Sequence, residues 1–191
     1  MVSAKTTEVF ATTEDSRAKD VDGWVPSSYL WPLRFIIGFQ FFTAWARRYL
    51  NAPSKMDWYS KHNIAHKFST MMPHALPPIQ GMIRWLLLHP HWAWDFLIIF
   101  SWVEFVVGLF LLTGTLTRLA AFGAAVLSFS MLFGNGWLGT ACVDEFQIGS
   151  VEGIAAMILM FVGAGGLGVD RWIHKYWDGH LRIGRWDLHL T

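Results

Sequence analysis

The chain has 191 residues, of which 53% are hydrophobic and 15% are charged. Soluble proteins carry about 25% charged residues, so this composition indicates a membrane protein. A net charge of +1 excludes the concentrated excess of lysine and arginine that nucleic-acid binding needs, and a lone cysteine excludes an intrachain disulfide.

The apolar segments predict the architecture. Residues 1–29 are polar and of mixed charge, which predicts a flexible tail rather than a secretory signal. Four segments follow that can each cross about 30 Å of hydrocarbon as a helix. Their approximate limits are Leu30–Trp45, Ala93–Leu112, Leu116–Gly134 and Phe146–Val169. We therefore expect an all-α, membrane-embedded four-helix bundle over residues 30–172, with a C-terminal tail at 173–191.

The long first loop carries its own apolar stretch. Met82–Leu88 is too short to cross a bilayer and is followed by His89 and Pro90, which predicts a short interfacial helix. Four crossings place both termini on one side, where lysine and arginine are slightly in excess. The positive-inside rule then favours cytoplasmic termini and a multi-pass position in the plasma membrane. The sequence leaves open whether the chain forms a homo-oligomer.

Two carboxylates fall inside the predicted spans. Glu104 lies near the middle of the second helix and Glu152 about two turns into the fourth. Charge at that depth is costly and usually faces the bundle interior or a wet cavity. Steps of three and four residues give the second helix an inward stripe of Leu97, Ser101, Glu104, Gly108 and Leu111. The fourth helix has a stripe of small residues for close packing, comprising Gly149, Gly153, Ala156 and Gly163.

The third loop contains the single cysteine. Asp144 and Gln147 have the spacing of a capping box, which predicts that the fourth helix starts at Asp144 and that Cys142 precedes its N-terminus. That position favours a thiolate, although Asp144 and Glu145 oppose it when ionised. The alternative is a small buried Cys142 beside a purely structural cap.

Three stretches together resemble a known family. GWLGTACVDEFQIGSVEGI, WPLRFIIGFQFFTAWARRY and GAGGLGVDRW are similar to DoxD, the membrane subunit of thiosulfate:quinone oxidoreductase, in the wider DoxX-like group. The resemblance spans roughly Leu30 to Trp172. GAGGLG also resembles a dinucleotide loop, but it ends a predicted span and opens no βαβ unit, which favours packing and helix termination. The resemblance implies that a DoxA-like subunit is supplied by another polypeptide.

The resemblance implies that two thiosulfates are joined to tetrathionate while a membrane quinone accepts the two electrons. Guanidinium groups suit the thiosulfate dianion, and the candidates are Arg47, Arg48 and Arg84. Aromatic walls suit a quinone, and the candidates are Trp45, Trp102 and Trp137. Adjacent helical residues diverge by about 100°, so we expect one of Arg47 and Arg48 to face the cavity. Anchoring of the arginines to lipid head groups and an interfacial tryptophan belt remain alternatives.

A covalent route is the mechanistic hypothesis. Thiosulfate joins Cys142 as the quinone is reduced, and a second thiosulfate then releases tetrathionate. Glu104, Glu145 and Glu152 are candidate proton donors, and Asp144 completes the candidate catalytic set. The eight histidines lie outside the predicted span cores, so we expect no haem. His62 and His66 are too few ligands for a metal site.

Two other classes of function remain open. A small ion-coupled transporter would use Glu104 and Glu152, but four spans without inverted, broken segments give it thin support. A non-catalytic assembly subunit of a respiratory complex would need only helix packing. Quinone reduction on addition of thiosulfate separates the enzyme from both.

Overall fold

The computed structural model describes residues 30–136, 143–163, 168–173, 175–176, 180–183 and 186–189. Its elements in chain order are α1 (Trp31–Ala46), α2 (Lys67–Met71), α3 (Pro77–Leu88), α4 (Pro90–Thr113), α5 (Thr117–Asn135), α6 (Val143–Val162), α7 (Asp170–Ile173), β1 (His180–Ile183) and β2 (Trp186–His189). A π-helical turn, Arg47–Asn51, extends α1 directly, and two 3₁₀ turns, Pro53–Lys55 and Ile64–His66, precede α2. The predicted tail at 1–29 lies outside the described residues.

The four long helices α1, α4, α5 and α6 correspond to the four predicted helices. Helix α1 packs along α4 and α5 packs along α6, while contacts between α4 and α5 join the two pairs. Helix α1 also touches α6, which closes the bundle. The all-helical architecture of this part of the chain is therefore confirmed.

Glycines set the closest helix contacts. A Cβ atom at Gly38 of α1 would lie 2.9 Å from the Leu112 backbone nitrogen, and one at Gly108 of α4 would lie 2.6 Å from that of Phe42. The two backbones thus pass with no room for a side chain, as at small-residue helix crossings in membranes. On α6, a Cβ atom at Gly153 would lie 3.1 Å from the Phe129 ring. The predicted small-residue stripe of α6 does face α5.

Two clusters of buried side chains form the core. The larger lies among the four long helices around Ile37, Leu111, Ala121 and Leu159. The smaller contains Phe68, Ala75, Ile83, Leu86 and Ala93, and lies where the first-loop helices α2 and α3 pack on α4. The first loop is therefore folded against the bundle as a cap at the end where α1 finishes.

The bounds of the fourth helix differ from prediction. Helix α6 begins at Val143, so Asp144 lies inside its first turn and the prediction that Asp144 is the N-cap was wrong. It ends at Val162 rather than Val169, because Gly163 adopts a left-handed φ of 84° that glycine tolerates. Helix α3 is longer than predicted and starts at Pro77, since a proline in the first turn needs no hydrogen-bond partner for its nitrogen.

Two helices, α4 and α5, are long and apolar enough to cross a membrane by length and composition. Helix α1 has 16 residues before its π-helical extension, and the apolar part of α6 runs over Ile148–Val162. In the region predicted as a C-terminal tail, β1 pairs with β2 in antiparallel register from His180 opposite His189 to Ile183 opposite Trp186. The alternating residues around Gly184 and Arg185 are typical of such a hairpin.

Asp170 forms hydrogen bonds with the start of α5 at the end of the bundle away from the cap. The backbone N–H groups of Leu116 and Thr117 donate to its two carboxylate oxygens at 2.6 and 2.9 Å. Its own N–H donates to the Gly114 carbonyl at 2.8 Å. Leu116 has a φ of 45°, which is unfavourable for a leucine, so these bonds hold a strained start of α5 in place.

We expect Asp170→Ala to lower the unfolding free energy by about 1–3 kcal/mol, because the variant leaves two N–H groups without their acceptor at a site where Asp170 is only 2% exposed. Asp57→Ala is the matched control, since Asp57 accepts one backbone N–H, from Tyr59, in an exposed turn. In thermal unfolding in detergent, the melting temperature should fall clearly in Asp170→Ala and change little in Asp57→Ala. Equal melting temperatures in the two variants would contradict this role.

Candidate functional site

Arg47 and Arg48 occupy the π-helical turn that ends α1. A π-turn has more residues per turn than an α-helix, so neighbouring side chains diverge less than they would in an α-helix, and such turns are frequent at functional sites. Arg48 is buried and Arg47 is exposed, yet both line the same cavity. The prediction that only one of them faces a cavity was therefore wrong, although their environments do differ as expected.

Arg48 forms a buried ion pair with Glu104 of α4. Both of its terminal nitrogens donate to the carboxylate, Nη2 reaching Oε1 at 3.2 Å, and Nη1 also donates to Ser101 Oγ at 2.9 Å. The side chains of Arg48 and Glu104 are 8% and 5% exposed. Ser101 and Glu104 belong to the predicted inward stripe of α4, whose placement in the interior is confirmed. Such a bidentate pair is costly to break, because either partner alone would be a buried charge.

A polar cavity of about 490 Å³ opens beside this ion pair. Two carboxylates line it, Glu104 from α4 and Glu152 from α6, and Ser128 of α5 donates to Glu152 Oε2 at 3.3 Å. Gln40 and Asn135 add neutral polar groups to the wall. The polar cavity thus places two carboxylates from opposite helices in one space with both arginines.

A second space, the apolar slot of about 130 Å³, lies between the cap and helices α4 and α5. Phenylalanine, methionine and isoleucine side chains form most of its wall, and its polar residues include Arg47, Arg48 and Asn135. The three are shared with the polar cavity. The two spaces therefore meet at the arginines.

A third space, the basic vestibule of about 290 Å³, lies under the first loop. Among the described residues its lining has no carboxylate and has five cationic side chains, Arg47, Arg48, Lys55, Lys61 and Lys67. His62 and His66 also line it, so the structure gives this predicted pair an anion-attracting setting. Arg48 is paired with the Glu104 carboxylate. Arg47 and Arg48 line all three spaces.

The other predicted site residues are dispersed. Arg84 is exposed on α3 and lies outside the lining of the three spaces. Trp45 and Trp102 pack together with ring centroids 5.7 Å apart, in an aromatic cluster that also contains Phe42, Tyr49 and Phe105. This cluster lies outside the three spaces too, and Trp102 is 47% exposed. The position of this cluster is therefore equally consistent with an aromatic belt at the membrane interface and with the wall of a ligand-binding site.

The third loop is only partly placed. Cys142 and Trp137 lie outside the described residues, while Asp144 and Glu145 belong to the first turn of α6. That turn and the arginines come from the same end of the bundle, because α6 runs from there past Glu152, which lines the polar cavity. The site residues that the sequence did not indicate are the vestibule lysines and the aromatic walls of the slot. The basic run KHNIAHK in the first loop was the sequence signal for Lys61 and Lys67.

A family model described as the TQO small subunit DoxD matches residues 29–185. The chain belongs to the DoxD family. The resemblance seen in the sequence is thereby confirmed, and the match extends beyond Trp172 into the β-hairpin. Membership places the chain with the small subunits of thiosulfate:quinone oxidoreductase, which implies a quinone as electron acceptor. No solved structure matches this DoxD chain.

We expect Arg48→Met to destabilise the protein by about 3–5 kcal/mol, because it leaves the Glu104 carboxylate buried without its cation. Arg47→Met is the matched control at the adjacent, exposed position, where the loss should be below about 1 kcal/mol. Thermal unfolding of the two variants measures how much stability each one loses relative to the wild type. Restoration of stability by Glu104→Gln in the Arg48→Met background would assign the loss to the buried charge, and equal destabilisation by both single variants would contradict it.

Proposed function

We propose that the chain is the membrane-embedded subunit in which thiosulfate:quinone oxidoreductase oxidises thiosulfate to tetrathionate and passes the electrons to a membrane quinone. The observation that carries this proposal is the position of Arg47 and Arg48 where a basic vestibule, a polar cavity with two carboxylates and an apolar slot meet. The basic vestibule suits an anion, the carboxylates of the polar cavity suit proton transfer, and the apolar slot suits an apolar electron acceptor.

Exposed apolar side chains support a membrane position for all four long helices. The outward surfaces carry large hydrophobic residues on each helix, such as Phe35 on α1, Ile99 on α4, Phe122 on α5 and Val151 on α6. A soluble bundle would present polar residues there, whereas lipid favours this arrangement. Helices α1 and α6 would then cross beside α4 and α5, with the cap on the opposite side of the membrane from cytoplasmic termini.

Thiosulfate enters through the basic vestibule in this proposal. A hollow lined by cations raises the local concentration of a dianion and speeds its capture. Arg47 is exposed and its side chain makes no hydrogen bond among the described residues, so its guanidinium can offer two parallel donors. Arg48 is committed to Glu104, and therefore orients Glu104 while adding its charge to the same region. Arg84 stays a weaker candidate because it is remote from these spaces.

The sulfur chemistry balances with Cys142 as carrier. The Cys142 thiolate and the outer sulfur of one thiosulfate lose two electrons to the quinone and form a Cys–S–S–sulfonate. The second thiosulfate attacks the outer sulfur of that disulfide, forms the central bond of tetrathionate and releases the Cys142 thiolate. The quinone takes up two protons, for which Glu104 and Glu152 line a route through the polar cavity. Asp144 and Glu145, in the first turn of the helix that carries Glu152, are further candidates. A DoxA-like partner subunit completes the enzyme, as the family implies.

We expect Arg47→Lys to raise the half-saturating thiosulfate concentration about tenfold, since lysine keeps the charge but loses the paired donors. Steady-state quinone reduction at varied thiosulfate measures this, with quinone saturating. The same substitution at Arg84 distinguishes the two possible anion sites. An effect at Arg84 with none at Arg47 would place thiosulfate on α3 and overturn the vestibule route.

We expect Cys142→Ser to assemble normally and to lose thiosulfate-dependent quinone reduction, because a hydroxyl forms no persulfide-type bond. Mass spectrometry of the wild type after one turnover with a single equivalent of thiosulfate should find added sulfur and sulfonate on the Cys142 peptide. A fully active serine variant would show that Cys142 has only a packing role. Direct coupling of two thiosulfates held beside Arg47 would then remain as the enzymatic route.

A further inference from the structure

The apolar slot has the dimensions and chemistry of a site for one ring. Its walls are Phe68, Met71, Met82, Ile83, Phe96 and Phe100. The rings of Phe68 and Phe96 are 6.2 Å apart, and those of Phe96 and Phe100 are 5.8 Å apart, so they form a continuous aromatic side. Its volume of about 130 Å³ is close to the ~150 Å³ of an apolar cavity that stays dry and binds benzene.

One end of the slot is polar. Arg47, Arg48 and Asn135 line both the slot and the polar cavity, so a carbonyl oxygen at this end would face guanidinium donors. Glu104 lies directly behind Arg48 through their ion pair. The terminal nitrogens of Arg48 already donate to Glu104 and Ser101, so Arg47 is the residue whose donors an occupant can meet at this end. An acyl chain has no acceptor for them, whereas a quinone has oxygens at opposite ends of a flat ring.

We propose that the apolar slot binds the ring of the electron-accepting quinone, with one carbonyl oxygen against Arg47 and Arg48. The site rests on the proposed function only for the identity of the acceptor. The quinone tail leaves past Met82, a wall residue that is 38% exposed and faces outward. This position differs from the Trp45 and Trp102 cluster that the sequence indicated, which lies outside the slot.

Gly134 offers a small and specific way to narrow the slot. It lies in α5 and lines the slot, and an added Cβ would be 2.9 Å from Met71 Cε and 3.9 Å from Ile79 Cγ2. Met71 Cε is the end of a flexible side chain, so Gly134→Ala can fold with Met71 displaced. Alanine also favours helix over glycine, which protects the fold of the variant.

We expect Gly134→Ala to raise the half-saturating concentration of decylubiquinone about three- to tenfold and to leave that of thiosulfate unchanged. The measurement uses the full chain with its partner subunit in membranes. Adding Met71→Ala to Gly134→Ala should restore the decylubiquinone value, because it returns the lost volume. Gly123→Ala is the matched control in the same helix, where the added Cβ would meet Val107 Cγ2 at 3.0 Å, away from the slot.

Photolabelling tests the site without turnover. An aryl-azide analogue of decylubiquinone should label the peptides that contain Phe68, Met71 or Phe100, and Gly134→Ala should weaken this labelling. Labelling at Trp45 and Trp102 instead would contradict quinone binding in the slot. An unchanged half-saturating concentration of decylubiquinone in Gly134→Ala would contradict it as well. Slot labelling in a wild-type enzyme that fails to reduce quinone with thiosulfate would support the slot and overturn the proposed function.

Discussion

The buried ion pair between Arg48 and Glu104 is the constraint on which the rest of the site depends. A guanidinium and a carboxylate inside an apolar bundle are tolerable only when they meet with good geometry. The pair fixes α1 against α4, and the side-chain-free crossing at Gly38 and Gly108 brings the two helices close enough for it. Because the π-helical turn puts Arg47 next to Arg48, the same constraint places an exposed guanidinium in the lining of the polar cavity.

The two ends of the bundle are built differently. At the end away from the cap, Asp170 bonds to the start of α5, and Gly114 and Gly168 leave room for Arg34, whose Nη1 would lie 2.6 and 3.0 Å from a Cβ atom at those positions. Glycines and backbone hydrogen bonds bring the described chain segments close together at that end. At the cap end, the first loop is held over the bundle by a smaller cluster and leaves spaces beneath it. The three described spaces therefore lie at the cap end, and the Asp170 hydrogen bonds lie at the other end.

The sequence was sufficient for the features that depend on local periodicity. Long apolar segments predicted the four helices, and three- and four-residue steps predicted that Ser101, Glu104 and Gly153 face inward. It was not sufficient for features that depend on how distant segments meet. The π-helical turn, the choice of Arg48 rather than Arg47 as partner of Glu104, and the folding of KHNIAHK over the arginines arise from tertiary contacts. The role of Trp45 and Trp102 stays a prediction, because an aromatic near a helix end has the same sequence pattern in a belt and in a ligand wall.

The distribution of charge explains why three spaces can share two arginines without competing for one ligand. The basic vestibule has no lining carboxylate, so it attracts a dianion, whereas Glu104 and Glu152 make the polar cavity unfavourable for the same dianion whenever they are ionised. The wall of the apolar slot is mostly apolar apart from Arg47, Arg48, Lys67, Ser130 and Asn135, which favours a neutral ring. Arg48, neutralised by Glu104, can face all three spaces without drawing thiosulfate inward. Arg47 lines all three spaces, so in the proposed function thiosulfate in the vestibule and quinone in the slot can reach the same residue, while only protons need the space between the carboxylates.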